Sequence, residues 1–194
     1  LVCMIFMFLS ALNFILHFHS LKSRSLKIYF KDVEFRLYIL LIVVFLFLLL
    51  LYTSFVYANE ISAMGILFQV ISFITTSGFV STSYENWPVS IISILLFLSF
   101  LGACAGSTGG GMKIIRVLFI AKELKRGLIK IIHPSAEVPI KINNQSVNEN
   151  ISNNILLFFI FYLISYIFLS LILLLLGLDA TTAFSSIAAC LNNL

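Results

Sequence analysis

Charged residues are scarce in this chain: 10% of its 194 residues are Asp, Glu, Lys or Arg, and 61% are hydrophobic. An ordinary soluble domain carries about 25% charged residues. The mean hydropathy is +1.11, and several long apolar runs follow one another along the sequence. These features exclude an ordinary soluble domain and predict an all-α membrane protein that crosses the bilayer more than once.

Reactive side chains are also few. The three cysteines, Cys3, Cys104 and Cys190, lie far apart in apolar segments, so we interpret them as small buried hydrophobic residues. The three histidines lack the spacing of a metal site. The sequence has neither a nucleophile–base set nor a pair of intramembrane carboxylates. It therefore predicts neither an enzyme nor a resident cofactor in this chain.

A secretory signal peptide is lacking too, because the chain does not open with a basic region, a short apolar core and a small-residue cleavage site. It begins instead inside an apolar run, residues 1–18, which we interpret as the end of one membrane helix. It stops inside another pattern, so we expect it to be a fragment of a longer protein.

The apolar runs have two lengths. Residues 37–58 and 155–178 form runs of 22 and 24 residues, long enough to cross about 30 Å of hydrocarbon. Residues 61–74 would make a helix of only about 21 Å, and 179–190 is also short. A further run begins at 87 and breaks after 101. The sequence therefore predicts spanning helices that alternate with half-helices.

The basic residues are confined to two blocks. All 12 Lys and Arg residues lie within segments 22–36 and 113–150, whereas other connections carry the acidic residues Glu60, Glu85 and Asp179. The positive-inside rule places both basic blocks in the cytoplasm. This bias alone accounts for the basic residues, so we expect no nucleic-acid partner.

The predicted segments repeat in the order spanning helix, acidic outer turn, half-helix and polar loop. The loop 131–150 is either a small hairpin with an Asn143–Asn144 turn or a solvated linker. The chain then divides into the end of a preceding unit (1–20), a cytoplasmic linker (21–36), a complete unit (37–130), a cytoplasmic loop (131–150) and a truncated unit (151–194).

A polar loop, "ITTSGF" at 74–79, follows the first half-helix. Non-helical backbone at membrane depth is tolerated where it is buried in protein or lines a water-filled cavity. The negative end of the half-helix dipole would point into the bilayer at Thr75, and free carbonyls can replace an ion's hydration shell. The loop therefore predicts a cation site made of carbonyls rather than hydroxyls. The alternative is a glycine-terminated helix end at a helix interface.

A glycine-rich stretch, "GACAGSTGGGMK" at 102–113, interrupts the next helix. Each glycine costs about 1 kcal/mol relative to alanine in a helix, and an unbroken helix over 87–120 would be about 51 Å long. We expect a flexible loop here that crosses the path of the ion just inside the polar loop. The stretch lacks the order of a phosphate-binding loop. A kinked helix packed through small residues is the alternative.

Four stretches resemble one family of membrane proteins: "DVEFR" at 32–36, "FITTSGFVSTSYENWP" at 73–88, "GACAGSTGGGMKIIR" at 102–116 and "LDATTAFSSIAACLNNL" at 178–194. In order and spacing they are similar to the Trk/Ktr/HKT superfamily of potassium uptake proteins, and most of all to its bacterial Trk-type membrane subunits. The resemblance implies four helix–pore-loop–helix repeats around a pseudo-fourfold pore. This chain would hold the end of repeat two, all of repeat three and repeat four up to its filter.

The resemblance also implies which residues carry transport. Potassium would be the substrate, held by backbone carbonyls of a selectivity filter, chiefly those of Thr76 and Ser77. Gly78 would occupy the hallmark glycine position, and its counterpart in repeat four would follow Leu194. The implied filter residues are Thr75, Thr76, Ser77, Gly78, Phe79, Asn192, Asn193 and Leu194. The implied gating loop comprises Gly102, Ala103, Cys104, Ala105, Gly106, Ser107, Thr108, Gly109, Gly110 and Gly111.

Lys113 and Arg116 would stand at the cytoplasmic mouth, where they either anchor the helix end by snorkelling or raise the barrier to a cation. The resemblance further implies a multi-pass protein of the cell (inner) membrane, a homodimer, and a cytosolic nucleotide-binding regulatory subunit of the Trk/Ktr type that contacts segment 122–130. Two alternatives remain open: a sodium-permeable member, in which serine replaces a filter glycine, and a non-conducting membrane scaffold.

Overall fold

Helices make up most of this computed structural model, which describes residues 1–56, 61–81, 87–134, 138–143, 145–147 and 149–194. The predicted outer acidic residues Glu60 and Glu85 lie outside the described residues. The elements in chain order are α1 (Val2–Ser10), α2 (Phe14–Ser23), α3 (Lys27–Lys31), α4 (Val33–Val56), α5 (Ala63–Ile74), α6 (Val89–Leu101), α7 (Ile114–Ile132), β1 (Lys141–Ile142), β2 (Gln145–Ser146), α8 (Glu149–Leu175) and α9 (Ala180–Asn192).

Two of the described helices, α4 and α8, are long and apolar enough to cross a membrane, and the bent pair of α1 and α2 would make a third span if counted as one. Both long helices bury few of their apolar side chains inside the described fold. Such exposure fits side chains that face lipid. The prediction of an all-α membrane fold with two clear spans is confirmed.

The half-helix α5 lies at the centre of the fold. It contacts α1, α4 and α6, while α9 contacts α6 and α8. Its side chains Ile66, Val70 and Ile74 are fully buried in the main hydrophobic cluster. Because α5 has 12 residues, it extends only about 18 Å and ends inside the fold. The predicted order of spanning helix followed by half-helix is therefore present twice, as α4–α5 and α8–α9.

Residues 1–18, interpreted from the sequence as the end of one membrane helix, do not form a continuous helix. The chain breaks after Ser10 and resumes at Phe14, and the two helices meet at 101°. The Ser10 hydroxyl donates to the Met7 carbonyl (2.9 Å), and the Asn13 side chain accepts the Ile15 N–H (2.9 Å). Asn13 therefore caps the start of a second helix. A capping residue has a non-helical backbone, so the helix cannot run through this position.

Replacing this cap is expected to destabilise the protein. Asn13→Ala leaves the Ile15 N–H without its side-chain acceptor, and loss of such a cap costs about 1 kcal/mol. The midpoint of thermal unfolding of the detergent-solubilised protein measures the effect. Asn13→Asp retains the acceptor and should stay near the wild-type midpoint, as should Asn153→Ala on the exposed surface of α8. Equal midpoints for both alanine variants would contradict the capping role.

The interpretation of the cysteines as buried residues is confirmed for one of them and wrong for the other two. Cys104 is buried, whereas Cys3 and Cys190 are exposed. The exposed pair lie on α1 and α9, on helix faces that turn away from the core of this chain. Apolar sequence surroundings therefore did not indicate burial here, because lipid-facing helix surfaces are apolar as well.

The loop 131–150 contains the predicted hairpin rather than a plain linker. Strands β1 and β2 pair antiparallel, with Lys141 opposite Ser146. Asn143 has a positive φ of 47°, while Asn144 of the predicted turn lies outside the described residues. The Asn143 side chain donates to Asp32 (3.0 Å) and accepts from the Val33 N–H (3.2 Å). The hairpin is thereby attached to the start of α4.

Candidate functional site

The chain leaves α5 through a tight left-handed turn. The Ser77 N–H donates back to the Ser72 carbonyl (3.0 Å), and the Thr76 N–H donates to the Phe73 carbonyl (3.2 Å). Thr76 has a φ of +53° and Gly78 a φ of +69°. Bonds of this kind satisfy the free carbonyls at a helix end. The predicted polar loop therefore begins directly at the carboxyl end of the half-helix.

The same turn ends α9. The Leu194 N–H donates to the Ala189 carbonyl (3.0 Å), and Asn193 has a φ of +58°. The hydrogen-bond register aligns Asn193 with Thr76 and Leu194 with Ser77. An ideal Cβ on Gly78 would lie 3.1 Å from the Leu194 carbonyl carbon. The structure thus brings the two predicted filter segments side by side, in the register that the resemblance implied.

The hydroxyl groups of the first polar loop are already engaged. Thr75 and Ser77 bond each other through their hydroxyls (2.7 Å), and the Thr76 hydroxyl accepts the Gly110 N–H (2.6 Å). The Ser72 hydroxyl donates to the Phe79 carbonyl (2.7 Å). Among the residues that the structure describes, no hydrogen bond reaches the carbonyl oxygens of 75–78. These four carbonyls are free to act as ligands.

The glycine-rich segment separates α6 from α7, as predicted, and it contacts both polar turns. Besides the bond from Gly110 to Thr76, the backbone of Gly110 lies against the last residue of α9. An ideal Cβ on Gly110 would overlap the Asn192 carbonyl oxygen and lie 2.8 Å from its carbonyl carbon. Only glycine permits such a close approach of two backbones. The predicted gating loop and both predicted filter segments therefore form one cluster.

The glycine-rich segment also closes the break between α1 and α2. Cys104 N–H donates to the Ala11 carbonyl (3.0 Å), Thr108 N–H to the Ser10 carbonyl (3.3 Å), and Phe14 N–H to the Gly106 carbonyl (3.1 Å). The sequence analysis missed this contact because it treated residues 1–18 as one helix. The polar residues Ser10 and Asn13 inside an apolar run were the available signal.

The two predicted mouth cations behave differently. Lys113 precedes α7 with a φ of +73°, and its ammonium donates to the carbonyls of Ser107 (3.4 Å) and Gly109. Arg116 places its guanidinium 4.0 Å from the centre of the Phe158 ring on α8. Lys113 therefore belongs to the glycine-rich segment, whereas Arg116 connects α7 to α8.

The Asn192 side chain holds the end of α9. It is fully buried, donates to the Ser99 hydroxyl on α6 (2.9 Å) and accepts from the Tyr162 hydroxyl on α8. Charged or amide groups are buried at little cost only when they are hydrogen-bonded. Neither Ser99 nor Tyr162 was singled out from the sequence, because they lie in apolar runs without a motif.

Glu34 is a further residue that the sequence analysis missed as an individual, although its motif at 32–36 was noted. Its carboxylate accepts the backbone N–H groups of Ala105 (2.7 Å) and Ile115 (3.1 Å). Ala105 lies within the glycine-rich segment, and Ile115 lies two residues after it. The available signal was a carboxylate at the start of a very apolar run.

Comparison with known proteins gives one consistent result. Residues 1–194 match the family described as "TrkH: Cation transport protein". The Trk system potassium uptake protein TrkH of Salmonella typhimurium is 39% identical over 193 residues, which cover 98% of this chain and 40% of that protein. TrkH of Vibrio parahaemolyticus is 40% identical over 200 residues, covering 100% of this chain and 41% of that protein.

A solved structure agrees with these relatives. The crystal structure of the potassium transporter TrkH from Vibrio parahaemolyticus superimposes with a TM-score of 0.91 at 37% sequence identity. The match covers 98% of this chain and 42% of that one. The chain therefore spans less than half the length of the proteins it matches.

Proposed function

This chain belongs to the TrkH family of cation transport proteins, and from that premise we propose that it forms part of a potassium uptake pore. Members of this family are transporters rather than enzymes, and potassium is the transported substrate in the names of its relatives. Potassium would pass along the turns that follow α5 and α9.

The observation that carries the proposal is that no hydrogen bond from the described residues reaches the carbonyl oxygens of 75–78. The hydroxyls of Thr75, Thr76 and Ser77 are used within the protein, so the backbone oxygens remain for an ion. Carbonyl rings replace the hydration shell of potassium in channel filters. The carboxyl end of α5 adds a partial negative charge at this point. Potassium would bind to the carbonyls of Thr76 and Ser77.

The glycine-rich segment acts in this proposal as the gate. Gly110 lies against Thr76 and Asn192, residues of both filter segments, so an ion that left the filter at this end would meet the loop backbone. The ammonium of Lys113 lies on the carbonyls of the same loop. Its positive charge would oppose a cation while the loop occupies this position. Conduction then requires the loop to move.

Helix α7 is the proposed contact of a cytosolic nucleotide-binding regulatory subunit. Lys125, Lys130, Leu124 and Leu128 are exposed on this helix, and the helix begins directly at the glycine-rich segment. A partner that shifts α7 would therefore pull on the gate. The protein would lie in the cell (inner) membrane as a homodimer, with segments 22–36 and 113–150 in the cytoplasm according to the positive-inside rule.

Ion flux tests the proposed function directly. The complete reading frame that contains this chain is expressed with its regulatory subunit in a bacterial strain lacking potassium uptake, and rubidium and sodium influx are measured. We expect rubidium influx that potassium competes away and little sodium influx. Sodium influx of equal size would establish a sodium-permeable pore instead. No flux of either ion, with normal membrane expression, would favour the scaffold role.

A further inference from the structure

We propose that Glu34 is a positioning residue that holds the glycine-rich gating loop through two backbone groups, Ala105 within the loop and Ile115 just after it. This inference rests on the proposed gating function of residues 102–111. Glu34 lies in the first turn of α4 and is 5% exposed. A buried carboxylate is costly unless its oxygen atoms are hydrogen-bonded, and among the described residues this one bonds only to the backbone of Ala105 and Ile115.

The geometry is that of a clamp. One carboxylate oxygen accepts from both Ala105 N–H (2.7 Å) and Ile115 N–H (3.1 Å). Two nitrogen atoms that bond to the same oxygen lie within roughly 6 Å of each other. The chain between them therefore forms a closed loop, fixed at Ala105 and Ile115, in which Gly109 and Gly110 lie against the predicted filter segments. The gating loop can therefore move only between Ala105 and Ile115, unless the hydrogen bonds to Glu34 break.

The charge of Glu34 strengthens the clamp. Ile115 lies in the first turn of α7, where the helix dipole favours a negative group. Hydrogen bonds to a carboxylate are about twice as strong as those between neutral groups. The ammonium of Lys113 is directed away, to the carbonyls of Ser107 and Gly109, and no ion pair is formed by Glu34 in the part of the chain that the structure describes. The carboxylate is therefore committed to the backbone of the loop.

Cys104 offers a direct reporter of the loop. It precedes Ala105 and is 1% exposed, so a thiol reagent reaches it only when the loop opens. The test uses the complete protein with every cysteine except Cys104 replaced by serine, and a membrane-permeant maleimide whose attachment is followed by mass spectrometry. Rubidium influx is measured on the same variants with and without the regulatory subunit.

Glu34→Ala removes the oxygen that accepts both bonds. We expect Cys104 modification to become about tenfold faster, since hydrogen bonds to a charged group are among the strongest in proteins, and subunit-independent rubidium influx to rise. Glu34→Gln keeps an acceptor oxygen and should remain within about threefold of wild type. Glu34→Asp keeps the charge on a shorter arm and should label faster than Glu34→Gln, which provides a test if the alanine variant fails to fold. Glu123→Ala is the matched control for the Cys104 modification rate measured without the regulatory subunit, because that carboxylate bonds to Arg126 and Ser152 instead.

The two readouts separate this inference from the proposed function. Unchanged Cys104 modification in both Glu34→Ala and Glu34→Asp would overturn the clamp, whatever the flux. Faster modification in a protein that carries no rubidium at all would support the clamp and reject the pore. A rate of Glu34→Gln equal to that of Glu34→Ala would also overturn it, because an acceptor at this position would then have no effect on the loop.

Discussion

Gly78→Asp is expected to abolish potassium-selective influx while the protein still inserts in the membrane. Gly78 has a φ of +69°, and its missing Cβ faces the Leu194 carbonyl carbon at 3.1 Å. Asp tolerates a left-handed backbone better than most residues, so backbone strain is the smaller effect. The larger effect is a carboxylate placed among the four free carbonyls and against the neighbouring turn. It would bind a cation too tightly to release it and would push the two turns apart.

The measurement is rubidium influx in the potassium-uptake-deficient strain, corrected for the amount of protein in the membrane. We expect Gly78→Asp to fall to the background of the empty strain. Gly177→Asp is the matched control, because Gly177 also has a positive φ of +92° and has nothing within 4 Å of an added Cβ. Rubidium influx at the wild-type rate in Gly78→Asp would remove residues 75–79 from the ion path.

The two half-helices could be predicted from the sequence because membrane crossing sets a length. A run of apolar residues that is too short to span has to end inside the protein, and the polar loop after α5 marked that end. The glycine-rich break was predictable in the same way, because five glycines make a continuous helix unfavourable. These features depend on local composition, which a sequence displays directly.

The contacts that complete the site could not be predicted, because they join residues far apart in the chain. Glu34 accepts hydrogen bonds from backbone groups that lie 71 and 81 residues away in the sequence. The spacing of the motif at 32–36 does not indicate those partners. The break at Asn13 depends on one capping residue inside an apolar run. The backbone carbonyls that the break leaves free accept hydrogen bonds from the loop at 104–108, which is distant in sequence. The family resemblance indicated the register of the turn after α9, which the length of the apolar run alone did not.

Gly110→Ala is expected to open the gate. Gly110 has no positive φ, so alanine there is not strained by a left-handed backbone. The added methyl group would, however, overlap the Asn192 carbonyl. Overpacking of this kind costs about 1–3 kcal/mol, and it acts only on the arrangement in which the loop lies against the filter. A penalty of that size shifts the equilibrium between the closed and open arrangements by about 5- to 150-fold.

Rubidium influx without the regulatory subunit should therefore rise by about tenfold in Gly110→Ala, whereas Gly127→Ala, which meets no neighbour, should match wild type. The ratio of rubidium to sodium influx separates two roles of the loop. If Gly110 only obstructs the path, the ratio stays at the wild-type value because the carbonyls at 75–78 are untouched. If the bond from Gly110 to the Thr76 hydroxyl also supports the filter turn, the ratio falls as the influx rises. Influx unchanged from Gly127→Ala would mean that the close contact with Asn192 is not part of the gate.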